Sequence, residues 1–101
     1  MKRIRVAALA EQDLDDIWYH VAKNSGSIEI ANRIVDSIAE AFSFFARVPE
    51  AGTKRDKIDP GVRGFPVGNY IIYYRTSGSY VVISRVIHGR RDQQAAYRDQ
   101  C

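Results

Sequence analysis

The 101-residue sequence has a single cysteine, Cys101, and it stands at the last position. That excludes an internal disulfide framework and a multi-cysteine zinc site, and it predicts a reducing, cytoplasmic setting. No apolar run approaches the ~20 residues that a membrane-spanning helix requires. The opening Met-Lys-Arg-Ile-Arg is basic, but Glu11 and Asp13 arrive before any long apolar stretch, so no signal peptide is read. Gly-rich phosphate loops, HExxH, GxSxG elbows and metal-spaced Cys/His clusters are all missing from the sequence. Histidine occurs twice, as His20 and His88, far apart along the chain. Hydrophobic residues make up 46% and charged residues 27%, which is globular composition, and the length suits one domain spanning residues 1–101.

Charge is present but unevenly spread. Residues 1–50 carry six Lys/Arg against eight Asp/Glu, whereas residues 51–101 carry nine against four. The basic excess therefore lies in the second half, and it favours either an anionic partner or a solvated basic face.

The periodicity sorts the chain into elements. Ile4, Val6 and Ala8 alternate with their neighbours and predict a strand over about residues 2–8. Leu14, Ile17, Trp18, Val21 and Ala22 form one helical stripe, closed by Asn24-Ser25-Gly26. Ser27 is a suitable N-cap for a second helix, whose stripe runs Ala31, Ile34, Val35, Ile38, Ala41, Phe42 and Phe45 and ends before Pro49. Residues 50–61 read as a loop with three cations, Lys54, Arg55 and Lys57. Three strands then follow over about residues 62–67, 70–75 and 80–87, joined by turns at Gly68-Asn69 and Ser77-Gly78-Ser79. Pro66 belongs where its strand needs no ladder bond. A short C-terminal helix over 93–100 is possible.

The predicted order is β-α-α-β-β-β, an α+β fold with a helical hairpin on one face of a small, mostly antiparallel sheet. Apolar residues of the meander exceed what one face needs, which predicts an exposed aromatic face used for binding. If the last strand runs straight, Ile83 and Arg85 share a face and His88 lies on the other. His20 reads as a helix-surface residue. Arg63, Arg85, His88, Arg90 and Arg91 form a basic constellation near the sheet. Such a set could bind phosphates, or cleave RNA without a metal. The competing reading is that Arg63 and Arg85 form structural ion pairs or pack their stems across the sheet.

Several segments together resemble the RelE/ParE superfamily of type II toxins: Ala10-x-x-Asp13-Leu14-x-x-Ile17-x-x-His20, Gly61-Val62-Arg63-x-Phe65-Pro66-Val67-Gly68-Asn69-Tyr70, and Arg85-Val86-x-His88-Gly89-Arg90-Arg91-Asp92. The ending is similar to the ParE branch. That resemblance implies a bacterial toxin held in a hetero-oligomer by a cognate antitoxin protein, reaching operator DNA only through that antitoxin, with no cofactor or metal. A ParE-like member acts on DNA gyrase and is not an enzyme, with Arg85, His88, Arg90, Arg91 and Asp92 expected at the target. Trp18, Tyr73 and Tyr74 are expected at the antitoxin. The alternative is a RelE-like, ribosome-dependent mRNA endonuclease using Arg63, Arg85, His88 and Tyr97. Tyr97 sits later than the nuclease pattern places its tyrosine, which favours the ParE reading.

Overall fold

The computed structural model describes residues 1–99; Cys101 and Gln100, the last residue of the expected C-terminal helix, lie outside them. In chain order the elements are β1 (Arg3–Val6), α1 (Ala8–Ser25), α2 (Ile28–Arg47), β2 (Thr53–Lys54), β3 (Arg63–Val67), β4 (Tyr70–Ser77), β5 (Tyr80–His88) and α3 (Gln93–Arg98). Gly26 closes α1 at φ 68°, a left-handed conformation that a side chain disfavours. Ser27 caps α2 by accepting the Ile30 N–H at 3.2 Å. That helix ends at Val48, whose N–H donates to the Phe44 carbonyl immediately before Pro49.

The five strands lie in the order β1-β5-β4-β3-β2. β1 runs parallel to β5, and the other pairs are antiparallel. The helical hairpin, followed by β2, β3 and β4, makes the long connection that the parallel β1–β5 pairing requires. β2 is too short to show a period, and its two residues fell inside the expected loop. It pairs only with Gly64 and Arg63, which leaves the outer edge of β3 open at Pro66.

Each face of the sheet carries its own core. On the helical face, Ile17, Ile38, Phe42 and Phe45 pack against Ile72, Tyr74, Ile83 and Val86. The Phe45 and Tyr74 rings stack with centroids 4.1 Å apart. On the opposite face, Val62, Tyr73, Ile87 and Ala96 form a second cluster, with Ile58 and Tyr97 packed on it. The expected exposed aromatic face is therefore corrected: α3 and the loop before β3 cover it. Burying such side chains stabilises by about 1.5–3 kcal/mol each, which is why a six-residue helix is held down at all.

A bulge sets the face of every residue at the end of β5. Tyr73 pairs with Arg85, but Tyr74 pairs with Ile83, so Ser84 is the extra residue. Ile83 and Val86 consequently both join the helical-face core, and Ile87 joins the other. Ile83 and Arg85 do not share a face, contrary to the straight-strand expectation. Arg85 and His88 are on opposite faces, through their pairings with Tyr73 and Tyr70.

Candidate functional site

β1 stops pairing at Ile83, so among the described residues the edge of β5 beyond that point has no strand partner. Asp13 of α1 occupies it. Its Oδ2 accepts the Val86 N–H at 2.9 Å, and the two carboxylate oxygens accept Arg85 Nε at 2.8 Å and Nη2 at 2.9 Å. The remaining donor, Nη1, reaches the carbonyls of Ala96, Tyr97 and Asp99 at 2.9, 2.8 and 2.7 Å, neutralising the C-terminal end of α3. Arg85 is 5% exposed. The hydrogen bond to Asp13 is the main cause holding its guanidinium above the ordinary arginine value, against the effect of burial. Arg85 is thus a structural cation, and it is not presented to a target or a substrate.

Arg63 and Tyr97 of the nuclease alternative are also committed, and in different places. Arg63 Nη1 donates to the Gly52 carbonyl at 2.8 Å and so ties β3 to the segment after α2. Tyr97 is half-buried on the α3 face, its hydroxyl 3.1 Å from Ser84 Oγ and 3.3 Å from Asp59 Oδ2. Arg75, ion-paired with Asp59, donates to the same hydroxyl at 3.3 Å. His88 stands on the helical face, edge-on to Tyr70 with centroids 5.2 Å apart. Its Nδ1 accepts the Arg90 N–H at 3.1 Å, which places the ring proton of neutral His88 on Nε2.

His88 does have neighbours that the sequence order concealed. A cleft of about 340 Å³ between α1 and the end of β5 is lined by His88, His20, Tyr70, Asp16 and Arg91, with Asp13 and Val86 at its base. Both histidines of the chain face it. His20 is exposed and 2.9 Å from the Asn24 amide nitrogen. Burial pushes the Tyr70 phenol up from its ordinary value. No local spacing signals this meeting, because the parallel β1–β5 pairing is what lays α1 beside β5.

The Arg-rich turn beyond His88 is divided in role. Asp92 is the N-cap of α3, its Oδ1 accepting the Ala95 N–H at 3.2 Å. Arg91 lies 3.5 Å from Asp99 in a pair about half exposed, a contact of small energy. Arg90 is exposed, and its guanidinium has no ion pair among the described residues. Of the three residues expected at an antitoxin, Trp18 is half-buried and donates from Nε1 to Asn32 Oδ1 at 2.7 Å, joining α1 to α2. Tyr73 and Tyr74 are 1% and 0% exposed, so the antitoxin assignment of their side chains is corrected. Tyr73 donates to Gln93 Oε1 at 2.7 Å; Tyr74 donates to the Pro49 carbonyl at 2.8 Å and accepts the Gly52 N–H at 2.7 Å. Among the described residues no group of three or more His, Cys, Asp or Glu is arranged to hold a metal. No helix among them is long and apolar enough to cross a membrane.

The family model described as "ParE toxin of type II toxin-antitoxin system, parDE" matches residues 4–93, which takes in both helices of the hairpin, the sheet apart from Arg3 and the Arg-rich turn. The chain belongs to the ParE toxin family of type II toxin–antitoxin systems. It is 32% identical over 83 residues to toxin ParE3 of Caulobacter vibrioides, covering 82% of each chain. To toxin ParE1 of the same organism it is 30% identical over 95 residues, covering 94% of this chain and 97% of that one. Among solved structures it is similar to a chain of the chromosomal ParDE system from P. aeruginosa, with a TM-score of 0.76, 27% identity, and coverage of 87% and 96%. A chain of the RelBE2 toxin–antitoxin complex from Mycobacterium tuberculosis shares the fold, with a TM-score of 0.62, 22% identity, and coverage of 86% and 96%. The protein is the toxin component of a type II system, and its partner is an antitoxin.

Proposed function

We propose that this toxin acts in the bacterial cytoplasm on DNA gyrase, as an inhibitory protein and not as a nuclease, until its antitoxin neutralises it. Family membership supports the target. The observation that carries the choice against RNA cleavage is the commitment of the cleavage residues: Arg85 to Asp13 and α3, Arg63 to Gly52, and Tyr97 to Ser84 and Asp59. Of that set only His88 stays at an open cleft, where Arg91 is its cationic neighbour, so the base, cations and tyrosine of the cleavage set do not converge on one phosphate. The target surface is then the rim of that cleft, His88 with Arg90 and Arg91, while Asp92 caps α3 at the turn and Arg85 holds the other end of that helix. Trp18, on the helical hairpin, is the antitoxin-facing residue that keeps exposed surface.

The test is a supercoiling reaction with purified gyrase, scored for linear DNA after protein digestion. Wild-type toxin yields linear DNA. The Arg90→Ala/Arg91→Ala double variant yields about tenfold less or lower still, since a contact to a charged group contributes ~1.5–3 kcal/mol. Gyrase left untouched by a folded toxin, together with new ends in translated mRNA, would overturn the reading and restore the ribosome as target.

A further inference from the structure

The end of β2 and the loop that follows it carry three exposed cations, and neither the cleft nor the Arg-rich turn uses them. Lys54, Arg55 and Lys57 are exposed and have no ion pair among the described residues. The acids beside them are engaged: Asp56 Oδ1 accepts the Gly61 N–H at 3.0 Å, and Asp59 is paired with Arg75. The loop is also ordered. Arg55 donates its N–H to the Val62 carbonyl at 2.9 Å and accepts the Ile58 N–H at 2.9 Å. Its stem lies flat across β3 because position 64 is glycine; a Cβ there would meet Arg55 Cγ at 3.2 Å. Between this loop and α3 runs an open groove of about 570 Å³, with Lys54, Arg55, Lys57 and Ile58 on one wall, the Asp56 carboxylate among them, and Gln93 and Gln94 on the other, so the cations exceed the anions three to one.

We propose that this groove binds the phosphodiester backbone of duplex DNA. Three positioned cations without partners suit a row of phosphates, whose binding is driven by release of condensed counterions. The opposite wall has few groups left to read bases. The Gln93 amide is spent on the His88 and Arg91 carbonyls, and the Gln94 amide on the Lys57 carbonyl. No exposed ring lines the groove, which disfavours stacking of unpaired bases and favours a duplex over a single strand. Binding is therefore independent of sequence. The choice of DNA over an RNA duplex rests on the gyrase reading; the charge argument does not.

The test uses full-length toxin, without gyrase, and a fluorescent duplex DNA in anisotropy titrations from 50 to 200 mM salt. Wild type binds with a log–log salt slope of about −3, one unit per cation, and Lys54→Ala/Lys57→Ala lowers it to about −1. Lys23→Ala/Arg33→Ala, which removes the same charge from the helical layer, keeps the wild-type slope. Single Lys54→Gln and Lys57→Gln variants, each losing about one unit, serve if the double variant does not fold. Absence of DNA binding at 50 mM salt, or a double variant that binds like the helical-layer control, would overturn the proposal. Equal or tighter binding of an RNA duplex would overturn the choice of DNA. Loss of antitoxin neutralisation with DNA binding intact would assign the groove to an acidic protein segment instead. Linear DNA from gyrase with no binding of free DNA would remove the groove and leave the gyrase reading standing.

Discussion

Asp13 and Arg85 have side chains 12% and 6% exposed, so neither can lose its partner to water cheaply. Removing one member of such a pair leaves a buried charge, at a cost of about 3–5 kcal/mol. Asp13→Ala also orphans the Val86 N–H, and Arg85→Ala also removes the shared donor from the Ala96, Tyr97 and Asp99 carbonyls at the end of α3. We expect both variants to lose several kcal/mol in urea denaturation, and Arg85→Lys to recover little, because one ammonium cannot replace a fork that serves both Asp13 and α3. A stable Arg85→Ala protein would show that the guanidinium is dispensable to the fold. The practical consequence is that reduced toxicity of an Arg85 variant reports folding. In the sequence Arg85 is merely one of several cations near a strand end, and Asp13 one of several acids early in a helix. Their meeting spans 72 positions, and no local spacing encodes it.

At the scale of elements, α1, α2 and the meander were readable because their apolar positions keep a period of 3.6 or 2 over many residues. What escaped was short or irregular. β2 has two exposed residues and exists through its pairing with β3. The bulge at Ser84 inserts one residue and thereby reassigns the faces of Arg85, Val86, Ile87 and His88, a change that strict alternation cannot foresee. The surplus of apolar residues in the meander was real, but its explanation lies inside the chain: Tyr73, Val62 and Ile87 are covered by Ala96 and Tyr97. α3 is therefore part of the core. Deleting residues 93–101 should uncover Tyr73 and Ile87, unseat Arg85 and lower the denaturation midpoint, with dye-binding apolar surface as a second readout. A truncated chain with the stability of wild type would mean that α3 is an appendage. Toxicity lost on truncation says little about gyrase for the same reason, and substitutions at Arg90 and Arg91 separate target contact from folding where the deletion cannot.

For the whole molecule, a sheet buried on both faces imposes a pH limit. Tyr70, Tyr73 and Tyr74 sit in or beside the two cores, and burial is the main cause raising each phenol above its ordinary value. Opposing influences are weaker: the nearby Arg55 charge at Tyr73, and at Tyr74 the Gly52 N–H and Arg63. In the unfolded chain these phenols ionise near pH 10, while in the folded protein they stay neutral to higher pH. Between those values the folded state binds more protons, so stability falls as pH rises. The tyrosine contribution is complete below about pH 10 and disappears as the pH passes through the raised values. Urea midpoints measured from pH 8 to 11 should therefore decline steeply at the alkaline end. Tyr73→Phe and Tyr74→Phe each forfeit about 1 kcal/mol of hydrogen bonding at pH 8, yet the double variant should decline less between pH 9.5 and 11, since two of the ionising groups are gone. Were it to decline as steeply as wild type, the alkaline limit would belong to other groups, and the buried phenols would contribute through packing and hydrogen bonds alone.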